Sequence, residues 1–128
     1  LYYLESYCEQ LLSGRVRGQA SPNVQLVSSG SVYVDADDGF AQPAFSKGLP
    51  EALKLAKQNG IASLSVGRAH TCTSLGYFTK KIAEAGFLGL GLTNASPIVA
   101  PPGGRSRIIG TNPIPFSVPH ALRTCNIP

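Results

Sequence analysis

The segment Gly67-Arg-Ala-His-Thr-Cys-Thr-Ser-Leu-Gly76 carries the densest set of reactive side chains in the chain. His70 offers a proton that exchanges near neutral pH, and Thr71, Thr73 and Ser74 add hydroxyl groups. The segment joins the end of an expected strand to the start of an expected helix, where ligands of open layered sheets commonly sit and free N–H groups can meet an anion. The competing explanation is structural: Thr73 or Ser74 caps the helix and His70 is solvated. Cys72 stands close to His70 in sequence. Residues one or two apart do not automatically face each other, and no third orienting group is evident, so an incidental thiol is favoured over a nucleophile.

Two further loops have weaker signals. Leu92-Thr-Asn-Ala-Ser-Pro97 follows an apolar run, and its Thr93 and Asn94 can hydrogen-bond a ribose or an amide or make an ordinary turn. Gly103-Gly-Arg-Ser-Arg107 and Ile109-Gly-Thr-Asn-Pro113 combine glycines that permit close backbone approach with arginines able to meet a carboxylate or phosphate. There is no Gly-x-Gly-x-x-Gly, no Walker loop and no His-Glu-x-x-His. Cys8, Cys72 and Cys125 are an odd number without metal-ligand spacing, so free thiols in a reducing cytoplasm and no bound metal are expected.

These loops need elements to hold them. Leu4, Tyr7, Cys8, Leu11 and Leu12 recur at helical steps, predicting an amphipathic helix that ends near Gly14. Residues 24–27 and 31–35 read as two strands around Ser-Ser-Gly30, followed by a loop at 35–39 that holds three acids. A second helix is expected over about 43–59, with Phe45, Leu49, Leu53 and Ala56 on one face, or else starting at Pro50 as a first-turn proline, and stopped by Gly60. Residues 61–66 read as a half-buried strand, 74–85 as a helix with Leu75, Phe78 and Ile82 inward, and 87–92 as a strand. Beyond them lies a proline- and glycine-punctuated stretch with short strands around 107–109 and 116–118. This order predicts an α/β fold, α+β in stricter usage: a layered mixed sheet with covering helices.

Composition narrows the function. The chain has 128 residues, 43% apolar and 14% charged, with 14 glycines and 10 prolines, which suits one core-forming domain and excludes a disordered tail. Its formal charge is +4, and the last 44 residues hold Arg105, Arg107 and Arg123 but no acid. Three arginines do not make the dense basic stripe of a nucleic-acid binder. No apolar run is long enough for a bilayer and no export signal is visible, so neither membrane nor secretion is expected. The first helix begins at residue 1 without a cap, which suggests a cut from a longer chain.

Taken together, residues 60–76, Ala85-Gly-Phe-Leu-Gly-Leu-Gly-Leu-Thr-Asn-Ala95, Ala100-Pro-Pro-Gly-Gly104 and Gly110-Thr-Asn-Pro113 resemble the malate/L-lactate dehydrogenase family. The opening helix fits too, through Tyr7-Cys-Glu-Gln-Leu-Leu-Ser-Gly14, and the resemblance runs to about Pro119. The family is non-Rossmann and includes enzymes that reduce cyclic imines; His-Cys or Thr-Cys before Leu-Gly resembles its pyrroline-2-carboxylate reductase branch. The resemblance implies an NAD- or NADP-dependent oxidoreductase that moves a hydride between a nicotinamide and a small 2-oxo or 2-hydroxy acid or a cyclic imino acid. It also implies a cytoplasmic homodimer.

Family members are longer, and their catalytic Ser-His-Gly precedes the start of this chain, so the sequence is expected to be a central part: residues 1–18 from a helical domain, 19–119 a cofactor-binding domain, 120–128 an irregular tail. The alternative is a non-catalytic cofactor-binding or dimerisation fragment. An arginine that follows the family's Ser-His-Gly aligns with Tyr3. Many members carry Asn-His before the third helix; an ungapped alignment puts Thr71 at that His and His70 at the Asn, so either is the candidate catalytic residue. By the same resemblance Thr71, Cys72, Thr73, Ser74 and Leu75 contact the cofactor, Asn94 and Ala95 border it, and Thr111 faces the substrate; from charge alone, Arg105 or Arg107 can meet the substrate carboxylate.

Overall fold

Valines at alternate positions make Ser31–Asp35 (β2) the natural centre of a sheet, since its two inward side chains, Val32 and Val34, are fully buried. The computed structural model describes residues 3–120. The expectations for Arg123, Cys125 and residues 121–128 therefore lie outside the described residues. The chain divides into two compact units, Leu1–Thr73 and Ser74–Pro128.

In the first unit, Leu4–Leu12 (α1) matches the expected helix, and Gly14 with φ +73 follows it. Its apolar spacing does not mark a buried stripe, however. Leu4, Cys8, Leu11 and Leu12 are exposed, while Ser6, Tyr7 and Gln10 are half-buried. The reason is one aromatic contact: the Tyr7 ring packs edge-on against Phe40 at 5.8 Å and turns the Tyr7 side of the helix inward.

Asn23–Ser28 (β1) and β2 pair antiparallel as a hairpin, with a bulge between Leu26 and Ser28. Ala41–Asn59 (α2) then crosses to Ser63–Gly67 (β3), which lies parallel to β2 from Ser31↔Ser63 to Asp35↔Gly67. The sheet order is β1-β2-β3, a mixed three-stranded sheet with α2 packed on it. Ala62, Leu64, Val66 and Gly67 are the half-buried positions of the third-strand region, and Ile61, expected within the strand, is 78% exposed before it.

Two expectations for α2 are corrected. The helix starts at Ala41, earlier than either reading, and passes through Pro50. The Ala41 N–H, which has no partner inside the helix, donates to the carbonyl of His70 at 3.3 Å, so a distant loop caps the first turn. The buried face is Ala41, Ala44, Phe45, Gly48, Ala52 and Leu55, whereas Leu49, Leu53 and Ala56 are only half-buried beside it. At Gly48 an added Cβ would overlap the side chains of Val34 and Leu64. Close approach of helix to sheet selects small residues at the contact, not the most apolar ones. Gly60, with φ +81, ends the helix as expected.

In the second unit, Gly76–Glu84 (α3) is shorter than expected, with Phe78 and Thr79 buried and Leu75 and Ile82 half-buried. The expected strand at 87–92 shrinks to Gly89–Leu90 (β4), which pairs antiparallel with Phe116–Ser117 (β5). The expected strand at 107–109 is reduced to one bridge, Val99↔Ile109. Within this unit the Ser117 hydroxyl donates to the buried Thr79 hydroxyl at 2.8 Å and ties β5 to α3.

Candidate functional site

The parallel ladder of β2 and β3 delivers two loops from the same end of the sheet, residues 36–40 and 68–73. Parallel strands place both carboxyl ends together, so these loops meet for a geometric reason. The contact is built from backbone: the Ala36 N–H donates to the Gly67 carbonyl at 2.9 Å, and the His70 N–H to the Gly39 carbonyl at 2.7 Å. Phe40 and His70 form an isolated parallel bridge, and their rings meet edge-on at 6.2 Å. An aromatic line, Tyr3, Tyr7, Phe40 and His70, thus runs from α1 to the half-buried imidazole, each ring within 6.3 Å of the next.

The loop is held in unfavourable backbone geometry. Arg68, Thr71 and Thr73 have φ of +49, +28 and +48, the left-handed region that costs a non-glycine residue about 1–2 kcal/mol. Such outliers concentrate at sites where geometry serves function. The Thr71 hydroxyl accepts from the Thr73 N–H at 3.4 Å, and the Gln42 amide donates to the Thr73 hydroxyl at 3.2 Å and to the Cys72 carbonyl at 3.4 Å. Thr71 and Thr73 are exposed and Cys72 is half-buried. Thr73 also borders an open, mostly apolar groove of about 290 Å³ with Tyr3, Leu4 and Tyr7.

Electrostatics centre on Arg68. Its guanidinium lies 3.1 Å from Asp35 and 3.9 Å from Asp37 and is hydrogen-bonded to Asp38. That hydrogen bond, with the nearby positive charges of Arg68 and Arg17, holds the Asp38 carboxyl below the usual carboxylate range.

The second unit brings two predicted segments together. The Ala95 N–H donates to the Asn112 side-chain oxygen at 2.8 Å, and Gly110 approaches so closely that a Cβ there would overlap the Ala95 carbonyl. Asn94 and Thr111 are exposed and Ala95 is half-buried. Ser74 is not a helix cap: α3 begins with Leu75 at its N-cap and no side-chain cap bond. Arg105 and Arg107 are exposed. No group of three or more His, Cys, Asp or Glu suited to a metal occurs among the described residues. Among them, too, no helix is long and apolar enough to cross a membrane.

Sequence reasoning missed Phe40, Gln42 and Asn112 as organisers of these loops. Asn112 had a visible signal, an asparagine between Gly-Thr and Pro, whereas Phe40 and Gln42 depend on a chain return over about 30 residues that no local pattern encodes.

A model of the malate/L-lactate dehydrogenase family matches residues 1–125. The Delta(1)-pyrroline-2-carboxylate/Delta(1)-piperideine-2-carboxylate reductase of Pseudomonas putida is 38% identical over 121 residues, covering 94% of this chain and 36% of that protein. The malate dehydrogenase of Pyrococcus abyssi is 35% identical over 118 residues, covering 91% and 32%. Among solved structures, the delta1-piperideine-2-carboxylate reductase from Pseudomonas syringae superposes with a TM-score of 0.87 at 36% identity, covering 94% of this chain and 36% of that one. The malate dehydrogenase from Pyrococcus horikoshii gives 0.83 at 31% identity, covering 94% and 35%. The chain spans about a third of the length of these relatives. With a family model over nearly all of its residues and two solved folds superposing on 94% of it, this chain belongs to the malate/L-lactate dehydrogenase family.

Proposed function

We propose that these residues form the central part of an NAD(P)-dependent oxidoreductase acting on a small 2-oxo or 2-hydroxy acid or a cyclic imino acid. The observation that carries the reading is the strained strand-end loop holding His70, in a chain whose relatives include reductases of cyclic imino acids and malate dehydrogenases. The lining suits a nicotinamide end: Tyr3 and Tyr7 beside a mostly apolar groove that Thr73 also borders. A reduced nicotinamide, when bound, supplies the hydride for a C=O or C=N carbon.

The residues of the chain then have separable tasks. His70 is assigned the proton donated to the substrate oxygen or nitrogen, because imidazole exchanges a proton near neutral pH and a threonine hydroxyl does not. Thr71, whose hydroxyl accepts from the Thr73 N–H, shapes the turn. Thr71 to Leu75, Asn94 and Ala95 are assigned to cofactor contact, Thr111 to the substrate, and Arg105 or Arg107 to its carboxylate. The reading includes a homodimer and a reducing, cytoplasmic setting, the latter supported by widely spaced cysteines.

The test is oxidation of reduced cofactor by the full-length protein, offered pyrroline-2-carboxylate, pyruvate or oxaloacetate. Turnover with one of them is expected; a folded protein that neither turns over nor binds NADH or NADPH sinks the assignment. A second reading is a cofactor-binding or dimerisation fragment without catalysis. It predicts saturable cofactor binding or self-association by the 128-residue chain without turnover.

A further inference from the structure

The loop that presents His70 is entered through Arg68, and the backbone rungs skip that residue. The ladder closes at the Gly67 carbonyl and resumes at the His70 N–H, so residues 68 and 69 span the gap without a rung of their own. Arg68 makes this span at φ +49, a conformation its side chain does not favour. What it has instead is its guanidinium, reaching across to the facing loop. The Nη1 donates to Asp35 Oδ2 at 3.1 Å, the Nε to Asp38 Oδ1 at 3.3 Å, and the Nη2 to Asp38 Oδ2. That facing loop is itself strained, with Asp37 and Asp38 at φ +54 and +57.

The charges give Arg68 a specific part in this arrangement. Three carboxylates, those of Asp35, Asp37 and Asp38, share two guanidinium groups, because Arg17 pairs with Asp37. Without Arg68 three like charges would face one cation, and the loop at 35–39 would be tied to the end of β3 by backbone bonds alone. The same loop supplies the Gly39 carbonyl that receives the His70 N–H and leads to Phe40, on which the imidazole rests. We infer that Arg68 is a positioning residue, whose clamp on Asp35 and Asp38 sets where the His70 ring and the Thr71–Thr73 turn stand. The inference rests on the function proposed above in making that placement matter for a reaction. A planar fork is required, since one ammonium cannot serve two carboxylates in the same geometry.

The experiment compares Arg68→Ala, Arg68→Lys and Asp38→Asn with Lys54→Ala, which removes an exposed ion pair on α2, in the full-length protein. Histidine-ring and amide NMR signals, amide exchange of residues 69–73, cofactor affinity and kcat against KM are measured. Arg68→Ala is expected to move the His70 ring signals and speed exchange at 69–73. It should lower kcat between about ten- and a hundredfold with a smaller change in KM, as expected for a misplaced reacting group. Arg68→Lys should recover only part of kcat and of the exchange protection, and Lys54→Ala should match the parent. Unchanged His70 signals and exchange in Arg68→Ala overturn the inference whatever the activity. Should Arg68→Ala fail to fold, Arg68→Lys and Asp38→Asn decide by the same signals. A parent that neither binds nor oxidises reduced cofactor defeats the functional reading, while the NMR comparison still decides the clamp.

Discussion

The two units solve the problem of holding a loop in different ways. In the first, a parallel strand pair and a 19-residue helix bury Val32, Val34, Ala36, Ala44 and Leu55 together, and the site loop hangs from a stiff sheet end. In the second, the strands are two residues long, and Leu88, Leu90, Leu92, Ile98, Ile108, Ile114 and Phe116 are exposed. There the segments at 93–95 and 110–112 are joined by one side-chain amide and a close glycine contact. A packed core can carry backbone strain at its edge, because unstraining the loop would require breaking the ladder. A unit with little core must fix its loops by specific hydrogen bonds and glycine.

This contrast can be broken most directly at the proposed chemistry. If His70 holds the transferred proton, His70→Ala lowers kcat by roughly a hundredfold or more, the range for general acid catalysis, whereas Thr71→Ala changes it severalfold at most. Steady-state kinetics on the full-length protein check this, and equal, near-normal rates in both would remove the role from each.

Packing comes next. Gly48→Leu drives a side chain into Val34 and Leu64 and should destabilise the first unit by about 3 kcal/mol, the upper end of overpacking costs. Gly103→Ala in the second unit meets open space and should cost only about 1 kcal/mol for its φ of +76. Denaturant midpoints that reversed this order would contradict the contrast between the two units.

A smaller effect is expected at Asn112, where φ is +39 and the side chain accepts from Ala95. Asn112→Ala should cost about 1–2 kcal/mol locally, seen as faster amide exchange at Ala95 with exchange in β2 unchanged.

The smallest concerns Asp38. Its folded carboxyl is held low, first by the Arg68 hydrogen bond, so its contribution is present above the unfolded carboxylate range and is lost as pH falls through the folded value. The stability gap between the parent and Asp38→Asn should therefore be largest near neutrality, close in acid and shrink with added salt. Unfolding midpoints measured against pH and ionic strength test this, and a gap that widened in acid would contradict the sign.

Local pattern disclosed much of the molecule. The spacing of apolar residues gave the bounds of β2, and Gly60 marked the end of α2, with φ +81. The inner face of α2 differs from the apolar reading at all but Phe45, because apolarity ranks leucine above alanine and glycine while helix-to-sheet contact rewards small size. The start of α2 was misread because its first N–H is satisfied by a carbonyl from the His70 loop. The apolar run at 87–92 predicts a longer strand than forms because such a run does not ensure a partner; among the described residues Gly89 and Leu90 pair in a strand, with Ser117 and Phe116.

The sequence alone determined the order of helices and strands, the strand-end loop with His70 and the family, since these follow from local spacing and ordered motifs. Only the tertiary structure decided what those loops touch. The partners of Arg68 lie 30 and 33 residues away, and that of Ala95 lies 17 away. Contacts at such separations depend on how the chain returns on itself, which the register of β2 against β3 sets in the first unit and the approach of Gly110 to Ala95 sets in the second.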